Sequence, residues 1–211
     1  QPKLPYDTLK DFSRVTMMAK TAPVLVVHPS IPARSARELI ALAKAKPGQL
    51  TYGSTGSGTT AHLAFAQIRQ ASGMEAVHVP YKGGAQQVTA LVSGEVSMLL
   101  AIPSGLIAHI DAGRMRALAV SGESRLAARP DWPTLRESGI DVVVESFWGV
   151  VAPAATPAGL VSRLHSAIAQ ALGYDEVRGR LTALQFQPVG STPAQFEAFV
   201  RTAETSGEIA E

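Results

Sequence analysis

The stretch Tyr52-Gly53-Ser54-Thr55-Gly56-Ser57-Gly58-Thr59-Thr60 decides how this chain folds. A short apolar run at Leu50–Tyr52 precedes it, and an Ala-rich run from Thr59 to Ser72, stopped by Gly73, follows. Strand, glycine loop, helix is the order of a βα unit. Working outward, the same alternation recurs. Strands are expected at Val24–His28, Ala76–Val79, Val96–Leu100, Ala117–Val120, Val142–Val144, Gly149–Ala152 and Phe186–Val189. Helices are expected between them. Ser35-Ala36-Arg37-Glu38 reads as a capping box opening a helix that Pro47-Gly48 closes. Ala85–Val92 and Leu106–Ala112 end at Gly94 and Gly113, Thr156-Pro157 starts a helix running to Leu172, and Thr192–Gln195 is a second capping box. In Leu160–Leu172 the Ala/Leu spacing predicts a stripe facing a core. The proline-rich stretch Arg129–Pro133 is expected to cross between two lobes. The whole predicts an α/β fold with mostly parallel sheets.

Composition narrows the function. The 211 residues are 46% hydrophobic and 17% charged, with no cysteine. That excludes a disordered chain, a disulfide framework and a thiol nucleophile. The longest apolar runs fall well short of the roughly 18 residues that cross a bilayer, so no direct membrane insertion is expected. Nineteen basic against seventeen acidic residues leave a net charge of +2 with no Lys/Arg run, and aromatics are 6%. A nucleic-acid partner, which needs a basic stripe and stacking rings, is therefore not expected. His28, His62, His78, His109 and His165 show no metal-ligand spacing, and no metal or cofactor is expected.

The glycine loop fits no familiar enzyme signature. As a phosphate-binding loop it carries Thr59 where the lysine belongs. As a dinucleotide fingerprint, Gly56-x-Gly58-x-x-Ala61 has no acidic residue in the following His78-Val79-Pro80-Tyr81. As a nucleophile elbow it fails because neither serine is flanked by glycines two positions away on both sides. No nucleophile–base pair is evident, so no enzyme is expected. What remains is a set of amides turned toward one point, ringed by hydroxyls, at a helix N-terminus: a site for a small anion, most simply a carboxylate. Three or four charge-assisted hydrogen bonds of about 1.5–3 kcal/mol each, less ordering and desolvation, correspond to about micromolar affinity. The plainer alternative is a turn and helix cap that uses these residues for geometry alone.

Six segments taken together carry a resemblance: Tyr6–Phe12, Val24–Ser30, Tyr52–Thr60, His78-Val79-Pro80-Tyr81-Lys82-Gly83, Gly113–Val120 and Val151–Pro157. In this order, over nearly the whole chain, they resemble the Bug/TctC family, the periplasmic solute-binding receptors of tripartite tricarboxylate transporters. The resemblance implies a type II periplasmic-binding-protein-like fold of two lobes, with residues 1–23 and 139–211 forming a first, incomplete lobe and 24–138 the second. It implies a periplasmic receptor that captures a small carboxylate between its lobes and delivers it to membrane transporter subunits, without catalysis. A ligand-sensing effector domain of a regulator, which shares the architecture, is the alternative. Carried over by position, Ser54, Thr55, Gly56, Ser57, Gly58, Thr59 and Thr60 become carboxylate-side candidates, and Tyr81, Lys82 and Gly83 lie near the lobe junction. His62 either lines the cleft or packs against the cap, and Lys82 either meets ligand or solvent. Phe147 and Trp148 either wall the cleft or belong to the core. Two departures stand out. The chain opens at Gln1 without the family's first strand and loop, the other jaw on the carboxylate, so the 140–211 segment is expected to show exposed apolar surface. Ala101 stands where many relatives carry an acidic residue, which counts against a ligand with an ammonium group.

Overall fold

The computed structural model describes residues 5–205. They form two compact units. The smaller is built from the chain's two ends, through Thr21 and from Phe147 onward, and the larger is Ala22–Ser146. The chain passes from one to the other immediately after β1 (Phe12–Thr21) and returns at Phe147. Arg129–Pro133 therefore lies inside the larger unit rather than at a crossing. Arg129 forks onto Asp111 at 2.8 Å and stacks over buried Trp132. The return falls after 139 because Ile140, Val142 and Val144 are buried in the larger unit's core.

In the larger unit, β2 (Val24–Val27), β3 (Thr51–Ser54), β4 (Val77–Pro80), β5 (Met98–Ala101) and β6 (Arg116–Val120) form one sheet in the order β4-β3-β5-β2-β6. Interleaved with them are α1 (Ala36–Ala45), α2 (Thr60–Ser72), α3 (Gly84–Val92), a 3-10 turn at Pro103–Gly105 and α4 (Ile107–Asp111). β3 runs parallel to β4 and β5, as the βα units require. β2 runs antiparallel to both β5 and β6. β3, β4, β5 and β6 therefore run one way, as expected of a mostly parallel sheet, and only β2, the strand arriving from β1, is inserted against them.

β2 reads Val-Leu-Val-Val and is buried on both faces, as a central strand covered on both sides must be. Leu25 and Val27 join Leu39, Phe65, Ile68 and Leu100 in one core layer. Val24 and Val26 join Leu91, Leu99, Leu106 and Trp132 in the other. Ser35 caps α1 by accepting the Glu38 amide at 3.2 Å, while the Glu38 carboxylate reaches back to the Arg34 amide. The segment expected as a strand at Val142–Val144 is extended but unladdered. Ser121 pins it, exchanging backbone and hydroxyl hydrogen bonds with Val144 at 2.8 and 2.7 Å.

In the smaller unit β1 lies between β7 (Ser146–Pro153) and the two-residue β8 (Gln187–Pro188), and pairs antiparallel with β8. Around this sheet come α5 (Ala158–Gly173), α6 (Asp175–Ala183) and α7 (Pro193–Thr205). Thr192 and Gln195 complete a reciprocal capping box at 3.2 and 2.9 Å. Buried Met17, Phe196 and Val200 form the core here, with Phe147 and Phe199 packed against it. Phe147 meets both phenylalanines edge-on and Trp148 meets Phe186 likewise, so both aromatics have packing partners within this unit. α5 departs from expectation. None of its residues is buried: Val161, His165, Ile168 and Leu172 are half-covered, and Leu160, Leu164 and Ala167 are exposed. With Leu184 and Val189 they make the exposed apolar surface expected of the 140–211 segment.

Candidate functional site

The loop after β3 folds as its glycines dictate. Gly56 (φ +128) and Gly58 (φ +79) adopt conformations closed to side-chain-bearing residues, while a side chain at Gly53 would strike Leu99 and Tyr81. What the loop does with its amides differs from the expectation of a glycine cradle. The Gly56 amide donates to Ser54 Oγ at 3.0 Å, and the Gly58 amide donates to His62 Nδ1 at 3.3 Å. Those two donors are used inside the loop.

Ser54 is fully buried, its Oγ 2.6 Å from His78 Nε2 and donating back to the Gly56 carbonyl at 3.0 Å. It therefore supports the loop from beneath. This is also the nucleophile–base pairing that was not evident in the sequence. The β3–β4 register pairs Tyr52 with His78, which brings the imidazole to the Ser54 hydroxyl. Because Ser54 has no exposed surface, the pair cannot reach a substrate. The His78 ring stacks on Tyr52 and lies 4.6 Å from that of His62, centroid to centroid. Burial first, and then the neighbouring His62, push His78 below its ordinary pKa of 6.5, so it is neutral at pH 7.

The free donors begin one step further on. Thr59, the residue before α2, spends its hydroxyl on the Gly56 carbonyl at 2.8 Å and makes no side-chain cap, leaving the first-turn amides of α2 without one. Gly83, before α3, has no side chain to cap with. Both helix starts face a cavity of about 770 Å³ that lies within the larger unit. Thr55, Thr59, Thr60 and Ala61 line it from one side, Gly84, Ala85, Gln87, Val88 and Thr89 from α3, and Ala101 from the end of β5 with Ser104 and His109 from the segment after it. Among the described residues, no lysine, arginine, aspartate or glutamate lines it. Two positive helix ends among hydroxyls, with no competing charge, suit a single small anion.

Of the residues singled out from sequence, Thr55, Thr59, Thr60 and Ala101 line this cavity. Ser54, Gly56 and Gly58 shape its rim from below. Ser57 is exposed on the loop, outside the cavity lining. His62 lines a separate small hollow of about 150 Å³ with Tyr52 and Phe65. Tyr81 is held away by a 2.8 Å hydrogen bond to Glu95; burial first, and then that bond, push its hydroxyl up to about 12. The Lys82 side chain is exposed outside the lining, and Gly83 supplies the uncapped start of α3. Sequence reasoning missed Gln87, Ser104 and His109. The signal for Gln87 was available: a glutamine one turn after Gly83-Gly84, in line with the apolar Ala90 and Leu91 that the same helix buries.

A two-unit α/β chain with an uncharged, amide-lined cavity at converging helix starts belongs to the periplasmic-binding class of folds. Residues 1–210 match the tripartite tricarboxylate transporter family receptor family, and the chain belongs to that family. It is 36% identical over 197 residues to the UPF0065 protein in the gbd 5' region of Cupriavidus necator, an alignment covering 93% of this chain and 60% of that protein. Among solved structures it is similar to an R. palustris protein with adipate (30% identity, TM-score 0.90, 98% of this chain and 72% of that one). It is also similar to MatC from Rhodopseudomonas palustris with bound malate (25% identity, TM-score 0.88, 98% and 72%). The chain spans about three fifths of the length of the first curated relatives it matches.

Proposed function

We propose that this chain is the carboxylate-capturing part of a periplasmic receptor that hands a small organic acid to the membrane subunits of a tripartite transporter. The observation that carries the reading is the pair of uncapped helix starts, at Thr60 and Gly84, opening on one cavity without charged side chains. Backbone amides there replace the water around a carboxylate without requiring a buried cation. The adipate and malate in two similar structures are organic acids, in keeping with this chemistry. Within the larger unit, Thr55, Thr59 and Thr60 would approach the carboxylate from the glycine loop, and Ser54 and His78 would hold that loop in shape. In the periplasm a tripartite transporter subunit would recognise the liganded receptor.

Thermal-shift and calorimetric titration with mono-, di- and tricarboxylates, set against nucleotides and neutral sugars, tests this. Carboxylates should raise the melting temperature and the others should not; the reverse pattern overturns the reading. Ala85→Pro sharpens it. Proline is tolerated in a first helical turn but removes one free amide. Carboxylate affinity should fall about tenfold, the worth of one charge-assisted hydrogen bond, with the fold retained.

A further inference from the structure

The cavity is larger and less polar than a bare carboxylate needs. Its volume of about 770 Å³ falls in the range that takes drug-sized ligands, about 300–1,000 Å³. The anion position lies at the uncapped starts of α2 and α3, with Thr55 and Thr60 on the loop that leads into α2. Away from those starts the lining turns apolar. Val88 lies one turn along α3 from Gly84, on the same face, and Ala101 and Ile102 come from the end of β5 and the residue after it. All three are half-buried and keep surface for a ligand to cover, and Val88 and Ala101 rest on the buried core beneath. Gln87, Leu100 and Leu106 are buried and offer a ligand little surface. Ser104 and His109 add hydrogen-bonding groups but no fixed charge.

We infer that the cavity takes a monocarboxylate with an apolar body, an aliphatic chain or an aryl ring, in preference to a di- or tricarboxylate. This rests on the carboxylate reading above and adds to it the chemistry of the rest of the ligand. With its carboxylate on the helix starts, the acid lays its remaining carbons over Val88, Ala101 and Ile102. Each methylene group that leaves water there raises affinity by up to about fourfold. A second carboxylate carried to the same place would lose water beside apolar side chains. Among the described residues no lysine or arginine lines the cavity to answer it. An ammonium group is no better served, because no aspartate or glutamate among them lines it either.

The test compares ligands of equal length that differ only at one end. Hexanoate and adipate share a carbon chain and one carboxylate, and differ in whether the far end is a methyl group or a second carboxylate. Hexanamide keeps the chain and removes the charge. Each is titrated calorimetrically into the chain at pH 8, with acetate and butanoate as shorter acids. Binding is followed in parallel through the backbone amide resonances of Thr60, Gly84 and Ala85. Affinity should rise about two- to fourfold per methylene group from acetate to hexanoate. Hexanoate should bind about tenfold or more tightly than either adipate or hexanamide. Val88→Thr, which keeps the branched shape and adds a hydroxyl, should flatten the chain-length series, and Val88→Lys should turn the preference toward adipate. Adipate binding as tightly as hexanoate, affinities that do not rise with chain length, or a series unchanged in Val88→Thr overturn the apolar-acid inference while carboxylate binding stands. Hexanamide binding as tightly as hexanoate, or no shift of those amides with any acid, overturns the carboxylate reading and this inference together. The hexanoate-to-adipate ratio of the unaltered chain decides the matter if the variants do not fold.

Discussion

The two units of this chain solve the same packing problem to different extents. In the larger, a five-stranded sheet is covered on both faces, and alternate residues of one strand, Leu25 and Val27 against Val24 and Val26, feed separate core layers. In the smaller, the buried core is a short list centred on Met17, Phe196 and Val200, and the longest helix, α5, buries no residue at all. Yet α5 is as apolar along its length as the helices of the larger unit. Hydrophobic spacing therefore marks which face wants cover; it does not show whether cover is present. The larger unit holds the cavity and its uncapped helix starts on a closed core, which is the condition for keeping amide donors fixed without a ligand.

The strongest test of that contrast removes packing where it is most complete. Leu25→Ala in β2 empties a site between fully covered layers and should cost about 2–5 kcal/mol. The two tryptophans divide between the units, buried Trp132 in the larger and Trp148 in β7 of the smaller. A Trp148→Phe background therefore reports the larger unit alone, and its urea midpoint should drop sharply. A loss below about 1 kcal/mol would mean that the layers are looser than the burial indicates.

Gly149→Ala probes the smaller unit at its tightest contact. Phe196 of α7 lies directly over Gly149 in β7, where an added methyl group would run into the ring. Overpacking of this kind costs about 1–3 kcal/mol. Unfolding followed by Trp148 in a Trp132→Phe background should show it, and Phe196→Leu should recover part of the loss in the double variant. Additive losses would show that the methyl group is harmful for some reason other than the ring.

What the sequence revealed follows the same division. Every strand of the larger unit and α1 to α4 were legible, because their ends carry glycines, prolines and caps and because the central strands β2 and β5 are unbroken apolar runs. β1 was not. Its Phe-Ser-Arg-Val-Thr-Met-Met-Ala-Lys-Thr run alternates poorly because Arg14 and Thr16 are buried beside Val15 and Met17. The Arg14 guanidinium donates to the Thr8 carbonyl at 2.6 Å and pairs with Glu197, and Thr16 donates to the Ser191 carbonyl at 2.8 Å. Ser191 lies 175 positions from Thr16, and Glu197 is further still from Arg14, beyond any local pattern. α6 escaped because Asp175–Ala183 has little apolar periodicity. At the site, the loop itself was plain to see, whereas the division of labour within it was not. That Ser54 and Gly58 are spent on His78 and His62 depends on strand register and on the first turn of α2, neither of which spacing alone fixes.

The histidine pair gives a gentler test, confined to the larger unit. His78 titrates below its ordinary 6.5 in the fold, so the unfolded chain takes up a proton first as pH falls. Stability of the larger unit should be level above about pH 7 and decline as pH drops through and below 6.5. His78→Asn should flatten that decline while lowering the melting temperature at pH 7.5, since asparagine does not titrate but loses part of the stack on Tyr52. A profile in which stability rises on acidification would require a raised, not lowered, pKa.

The smallest effect on stability is expected where the contrast between the units is sharpest. Leu160 and Leu164 project one turn apart from α5, on the exposed flank of a helix whose adjoining stripe, through Val161, His165 and Ile168, rests half-covered toward β1. Replacing both with glutamine keeps the helix propensity and removes apolar surface that nothing in the described residues covers. The melting temperature should change by no more than that of an ordinary surface variant, within about 0.5 kcal/mol. Binding of a hydrophobic dye and self-association at high concentration should both diminish. A large loss of stability would show that the stripe is covered in solution. The contrast between the two units would then be one of partners and not of packing.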